Sequence, residues 1–296
     1  MPIENLAGRT IAGYALKERI GEGGTAEVYR AEHPVHGPCA FKVLRARLRS
    51  DPTAVQRFLR EASYGKRVEH PGVVRTYDFG DAGDLHYLAL EWATGRPLSE
   101  FAQQSGPVPP DVVARIVTQL AAALAAAHAA GIIHRDLKPE NIMYDAATGT
   151  AKLLDFGIAQ DADLAADERL TRTGFFVGTL QYVAPEALSG ELVTSRADIY
   201  SLATITYYLL TGQHPFGGGT PRELFQQLLS EDPRPLGRAV PGRSFPAQLE
   251  SAVMRGLERD AGKRPATVLE FAAQVSDASR DTKPERRGFL NSLLRR

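Results

Sequence analysis

An aspartate at 136, a lysine at 138 and an asparagine at 141 stand within one run, His134-Arg135-Asp136-Leu137-Lys138-Pro139-Glu140-Asn141, and the tripeptide Asp155-Phe156-Gly157 follows. At this spacing Asp136 can present a carboxylate to a hydroxyl nucleophile, Lys138 an ammonium to a phosphoryl group and Asn141 an amide oxygen to Mg²⁺. Asp155 can complete the metal site. A polar loop whose residues only cap neighbouring elements does not account for all four side-chain types at these intervals. Upstream lies Gly21-Glu22-Gly23-Gly24-Thr25-Ala26-Glu27-Val28. Its glycines would let backbone N–H groups approach phosphates without Cβ clashes. A plain hairpin or a dinucleotide-binding turn would also use glycines, but the latter should open a helix, and Glu27-Val28-Tyr29-Arg30 reads as a strand.

The elements that must position these groups change character along the chain. From Tyr14 to Leu44, short β-rich runs around Tyr14-Ala15-Leu16, Val28-Tyr29 and Cys39 to Leu44 alternate with Gly/Pro turns and predict a sheet. Asp51-Pro52 supplies a helix cap and a first-turn proline, and Val55, Phe58, Leu59, Ala62 and Val68 recur on one helical face with Glu61 nearby. A second strand pair is expected at about Val73–Tyr77 and His86–Leu90, ending in Glu91-Trp92-Ala93. Beyond Pro110 the pattern turns helical, with Asp111 as expected cap, an apolar stripe of Ile116, Val117, Leu120 and Leu124, a strongly helix-favouring alanine run, and Gly131 as stop. The segment Asp198–Leu210, closed by Gly212, is apolar almost all round and predicts a buried central helix. A small sheet-rich lobe and a larger helical lobe follow, an α+β chain with two lobes.

Thirty-five basic and 35 acidic side chains cancel in 296 residues, which removes the global electrostatic case for a nucleic-acid partner. The single cysteine, Cys39, excludes an internal disulfide and sits in an apolar run, so it is expected in the core. No uninterrupted apolar segment reaches the roughly 18 residues of a transmembrane helix, and Met1 to Thr10 lacks the features of a signal peptide, so the chain is expected to be cytoplasmic.

In order and kind, these motifs resemble those of the protein kinases, specifically the eukaryotic-like Ser/Thr kinases of bacteria, over about residues 11–275. The N-lobe would run over about 11–93, the C-lobe over about 94–275, and 276–296 would form a polar, basic tail. The resemblance implies ATP and Mg²⁺ as cofactors. It makes Asp136 the residue that orients the acceptor hydroxyl, Lys138 a stabiliser of the transferring phosphoryl group, and Asn141 and Asp155 the metal ligands. Lys42 matches the strand lysine that holds the α- and β-phosphates, and Glu61 its helix partner. Ile20, Gly21, Glu22, Gly23 and Gly24 fall on the phosphate-covering loop, where Ala26 replaces the family's third glycine. Val28, Ala40, Leu90 and Met143 would sandwich adenine, with Glu91 and Ala93 supplying backbone hydrogen bonds. Glu186 of Ala184-Pro185-Glu186 matches the partner of Arg264, and Asp198 the buried aspartate that tethers the catalytic loop.

Lys138 with Gly178-Thr179 resembles the Ser/Thr-specific pattern, and Ile158 goes with a preference for threonine. Arg135 marks the class in which a phosphorylated activation loop neutralises the catalytic-loop arginine, with Thr171 and Thr173 as acceptors. Protein substrates follow, as does a transient homodimer for autophosphorylation in trans. Gly65 falls where the family often places an apolar bridging side chain. It predicts a mobile helix, since glycine weakens a helix interior by roughly 1 kcal/mol relative to alanine. A catalytically inactive scaffold would normally have lost Lys42, Asp136 or Asp155. A small-molecule phosphotransferase would not need the Ala184-Pro185-Glu186 segment.

Overall fold

The computed structural model describes residues 5–155, 180–189 and 191–280. Thr171, Thr173, Ile158, Phe156-Gly157 and Gly178-Thr179 lie outside the described residues, as do residues 281–296 of the tail.

The N-lobe is an antiparallel sheet of β1 (Thr10–Ile11), β2 (Tyr14–Glu22), β3 (Ala26–His33), β4 (Gly37–Leu44), β5 (Thr76–Ala82) and β6 (Leu85–Glu91), in the order β1-β2-β3-β4-β6-β5. Side chains alternate across a strand. Cys39, Phe41 and Val43 therefore pack with Tyr14, Tyr29 and Tyr87 on one face, while Lys42 points to the other, alongside Leu88 on β6. That second face carries helix α1 (Pro52–Arg67), whose Phe58 and Ala62 pack on Leu44, Val74, Leu88 and Leu90. Asp51 caps the helix, accepting from Thr53 N at 2.9 Å, with Pro52 in the first turn as expected. Cys39 is fully buried, and burial pushes its thiol up to about 11, which suits a packing residue.

The first strand of the pair is shifted from expectation at both ends, running over Thr76–Ala82 instead of about Val73–Tyr77. β5 starts at Thr76, because Val73 is taken into a parallel bridge with Leu153 and Val74 N donates to Leu153 O at 2.8 Å. This join ties the upper lobe to the small sheet of β7 (Arg96–Pro97), β8 (Ile142–Asp145) and β9 (Thr150–Leu153) on the cleft floor. Gly65 also has a packing reason that its sequence position hides. A Cβ there would lie 2.6 Å from Thr76 Oγ1, so the glycine lets α1 approach β5.

The C-lobe holds α2 (Leu98–Ser105), α3 (Pro110–Ala129), α4 (Pro185–Ser189), α5 (Arg196–Thr211), α6 (Pro221–Ser230), α7 (Leu236–Ala239), α8 (Ala247–Gly256) and α9 (Val268–Arg280). The cap of α3 is Pro109, not Asp111. The two prolines preset the backbone, and Asp111 moves into the first turn, where it pairs with Arg115 at 3.4 Å and faces the positive helix end. Among the described residues α3 is long and apolar enough to cross a membrane, but Val113, Ile116, Val117, Leu120 and Leu124 are fully buried in the lobe's core. Helix α5 runs through the centre and ends at Gly212 in the left-handed region, φ 71°. Its buried Ser201, Thr204, Thr206 and Thr211 hydroxyls donate to carbonyls one turn back, so none needs water. Helix α9 continues to Arg280 with Ala278 and Ser279 buried, so residues 276–280 belong to the packed lobe rather than to the tail.

Candidate active site

The loop between α3 and β8 is held from below by one carboxylate. Asp198, in the first turn of α5, is fully buried and accepts from His134 N at 2.9 Å and Arg135 N at 3.0 Å, and pairs with His128 Nε2 at 2.7 Å. A buried charge is tolerable when several donors converge on it. The anchor also fixes Arg135 at φ 65°, a conformation that side chains other than glycine seldom adopt. His134 is fully buried, and desolvation lowers its pKa, which keeps the ring neutral under the loop. Asp198 is expected from the family resemblance, whereas Arg135 is expected there for its side chain and not for the backbone N–H that Asp198 holds. His128 is not expected, since a lone histidine closing an alanine-rich helix carries no distinguishing signal.

On this base stand the reactive side chains. Lys138 Nζ lies 2.8 Å from Asp136 Oδ2 and 3.1 Å from Oδ1. Asn141 Nδ2 donates to the backbone oxygen of Asp136 at 3.0 Å and to its Oδ2 at 3.1 Å, which turns Asn141 Oδ1 away as a free acceptor. Asn141 is carried by a single 3₁₀ turn, Pro139–Asn141, and its carbonyl accepts from Leu154 N at 2.9 Å, next to Asp155. Asp136, Lys138, Asn141 and Asp155 are thus brought together.

From the upper lobe, Lys42 Nζ reaches Glu61 Oε1 at 2.6 Å and Asp155 Oδ2 at 3.0 Å. Burial opposes the lysine's charge, but Asp155 and then Glu61 outweigh it, so its pKa lies above the ordinary value and it stays protonated. Burial raises Glu61, with Lys42 pulling the other way. One lysine thereby joins β4, α1 and Asp155, two residues past β9, across 113 residues of sequence.

The donor set fits Mg²⁺. Asn141 Oδ1 and the Asp155 carboxylate are hard oxygen ligands, and the described residues hold no cluster of three or more His, Cys, Asp or Glu that would favour another metal. Asn141 and Asp155 would hold such a cation through few protein oxygens and leave its other positions to ligands from outside the chain. The side chains expected to sandwich adenine come from several elements. Val28, Ala40 and Leu90 come from β3, β4 and β6, Met143 comes from β8, and Ile20 is a large apolar side chain left 47% exposed at the end of β2. Gly21 and Glu22 end β2, with Gly23 and Gly24 in the turn beyond. Glu91 N donates to Arg75 O at 2.9 Å, and the Glu91 carboxylate pairs with Lys152 of β9. Any contact of Glu91 with a purine therefore falls to its carbonyl, beside Ala93.

Glu186 of α4 and Arg264 form a forked pair, with both N–O distances 2.8 Å. The remaining guanidinium donors reach the carbonyls of Glu258, Arg196 and Arg259, and the group lies 4.9 Å from the Tyr200 ring centre. The pair is buried and ties α4 to the loop before α9.

Comparison with known proteins shows the family. The family model for the protein kinase domain matches residues 14–273. Serine/threonine-protein kinase pkn2 of Myxococcus xanthus is 43% identical over 262 residues, covering 88% of this chain and 31% of that protein. PknB of Mycobacterium leprae is 38% identical over 277 residues, covering 92% of this chain and 44% of that protein. The chain therefore spans about a third to a half of the curated relatives named here. The crystal structure of the Mycobacterium tuberculosis PknI kinase domain superposes with a TM-score of 0.71 at 28% identity, covering 93% of this chain and 100% of that one. In sequence and in fold, the chain belongs to the protein kinase domain family.

Proposed function

We propose that this chain is a serine/threonine protein kinase that transfers the γ-phosphoryl group of ATP to hydroxyls of protein substrates, with Mg²⁺ as cofactor. The observation that carries this reading is the joint assembly of Lys42–Glu61–Asp155 above the cleft and Asp136–Lys138–Asn141 below it. A scaffold without activity would have no use for both sets in place.

Asp136 would orient the acceptor hydroxyl and take its proton as the new oxygen–phosphorus bond forms and the bond to the β-phosphate oxygen breaks. Lys138, now paired with Asp136, would share its ammonium with the transferring group. Lys42 would hold the α- and β-phosphates while Glu61 holds Lys42. Mg²⁺, held by Asn141 and Asp155, would offset phosphate charge. ATP as donor and a buried, reduced Cys39 suit the cytoplasm. The lines from Ile158 to a threonine preference, from Thr171 and Thr173 to autophosphorylation, and from there to a transient homodimer are parts of the same proposal. Arg135 supports them, because its Nε is buried and finds no acceptor among the described residues. Each added phosphate would bring about −1.5 to −2 charges to that arginine.

The test is incubation of wild type and Asp136→Asn with Mg²⁺-ATP and a generic basic protein, read by intact mass and phosphosite mapping. The wild type should label Ser and Thr, and the variant should fall by about 10²–10⁴-fold. Equal labelling by both would remove Asp136 from the chemistry, and labelling by neither would leave a nucleotide-binding scaffold.

A further inference from the structure

The turn between β2 and β3 is gripped from one side by the segment that follows β4. Arg45 Nη1 donates to Gly23 O at 3.0 Å, Arg47 Nη2 to Gly24 O at 2.5 Å, and Arg45 N to Thr25 O at 3.0 Å. The second arm of Arg45 pairs with the Glu22 carboxylate, which Arg19 also holds at 3.2 Å. Three successive carbonyls of the turn thus face the same short segment. In a trans peptide the carbonyl of one residue and the N–H of the next point in opposite directions. The N–H groups of Gly24 and Thr25 are therefore turned away from the arginines, and neither has an acceptor among the described residues. Successive N–H groups presented this way form an anion-binding concavity. A separate observation also points to something outside the chain. Gly24 does not have a positive φ, and a Cβ on it would meet none of the described residues within 4 Å, so no contact among them requires a glycine there.

We infer that Arg45 and Arg47 are positioning residues that clasp the glycine-rich turn by its carbonyls and so aim the Gly24 and Thr25 N–H groups at the phosphates of a bound nucleotide. The inference rests on the kinase reading above for the identity of that nucleotide. Arg45 acts through two arms of its guanidinium, a geometry that an ammonium does not reproduce.

The test compares binding of Mg²⁺-ADP and of adenosine, by calorimetry, to wild type, Arg45→Ala, Arg47→Ala and Arg45→Lys, with melting temperatures to check folding. Arg47 is exposed, so its replacement should leave the fold intact. The clasp predicts ADP binding weakened by about 10-fold in each alanine variant, the scale of one charge-assisted hydrogen bond, with adenosine unchanged. Arg45→Lys should behave like Arg45→Ala despite keeping its charge. Unchanged or tighter ADP binding in the alanine variants would overturn the inference, as would equal losses for ADP and adenosine. Full ADP affinity in Arg45→Lys would reduce the role to charge alone and overturn it as well. If wild type binds adenosine and ADP equally, the clasp falls while the cleft stands; if it binds neither, the kinase reading falls with it.

Discussion

Arg264 and Glu186 in the helical lobe have side chains 0% and 6% exposed, whereas Arg45 and Glu22 at the glycine-rich turn are 24% and 37% exposed. Lys42 and Glu61 stand between them at 13% and 19%. The gradient separates two ways of holding a site. Below the cleft, the buried Asp198 carboxylate, on which several donors converge, fixes the catalytic loop, and the buried Glu186–Arg264 pair fixes the start of α4. Above it, the partly exposed Arg45–Glu22 pair holds the turn in a place that a charged ligand can re-partner, because exposed pairs contribute little and exchange readily, while the less exposed Lys42–Glu61 pair holds α1. One side is built in advance and the other is completed on binding.

The largest expected effect comes from breaking the buried side. Arg264→Ala leaves Glu186 charged, buried and unpartnered, which should lower unfolding stability by about 3–5 kcal/mol in denaturant titration. A loss below about 1 kcal/mol, the level of a surface pair, would erase the distinction between the lobes. Next is Lys42→Met at the intermediate pair. Phosphotransfer should fall by about 10²-fold or more while the melting temperature moves little, since the lysine serves ligand charge more than packing. A collapse of stability instead would assign Lys42 to the built side.

The smallest effect sharpens the seat of α1. In Gly65→Ala the new Cβ would press on Thr76 Oγ1, and the contact should outweigh the gain in helix propensity, for a net loss of about 1 kcal/mol. In a Thr76→Ala background that contact is gone, and the same substitution should turn stabilising by up to about 1 kcal/mol. A loss of equal size in both backgrounds would mean that the helix is not seated on Thr76.

What could be read from the sequence follows the range of the interactions. The catalytic loop was legible because Asp136, Lys138 and Asn141 bond to one another within a few residues, and the cap of α1 because Asp51 bonds to Thr53. The Glu186–Arg264 pair was readable only through family resemblance, since 78 residues separate its members. The start of β5, the fit of Gly65 on Thr76 and the clasp of Arg45 and Arg47 were hidden. Each depends on a partner brought close by the fold, and arginine after a strand is too common a residue to announce a role. Asp111 is not the cap, although an aspartate before an apolar stripe is a strong local signal, because Pro109-Pro110 is a stronger one.

The contrast between the two sides is tested most directly by amide-resolved hydrogen exchange with and without Mg²⁺-ADP. The N–H groups of His134 and Arg135, bonded to buried Asp198, should exchange slowly in both states, while those of Gly24 and Thr25 should exchange fast alone and slow on nucleotide binding. Fast exchange at His134 and Arg135 until nucleotide is added, or slow exchange at Gly24 and Thr25 without it, would contradict a site that is prebuilt below and completed above.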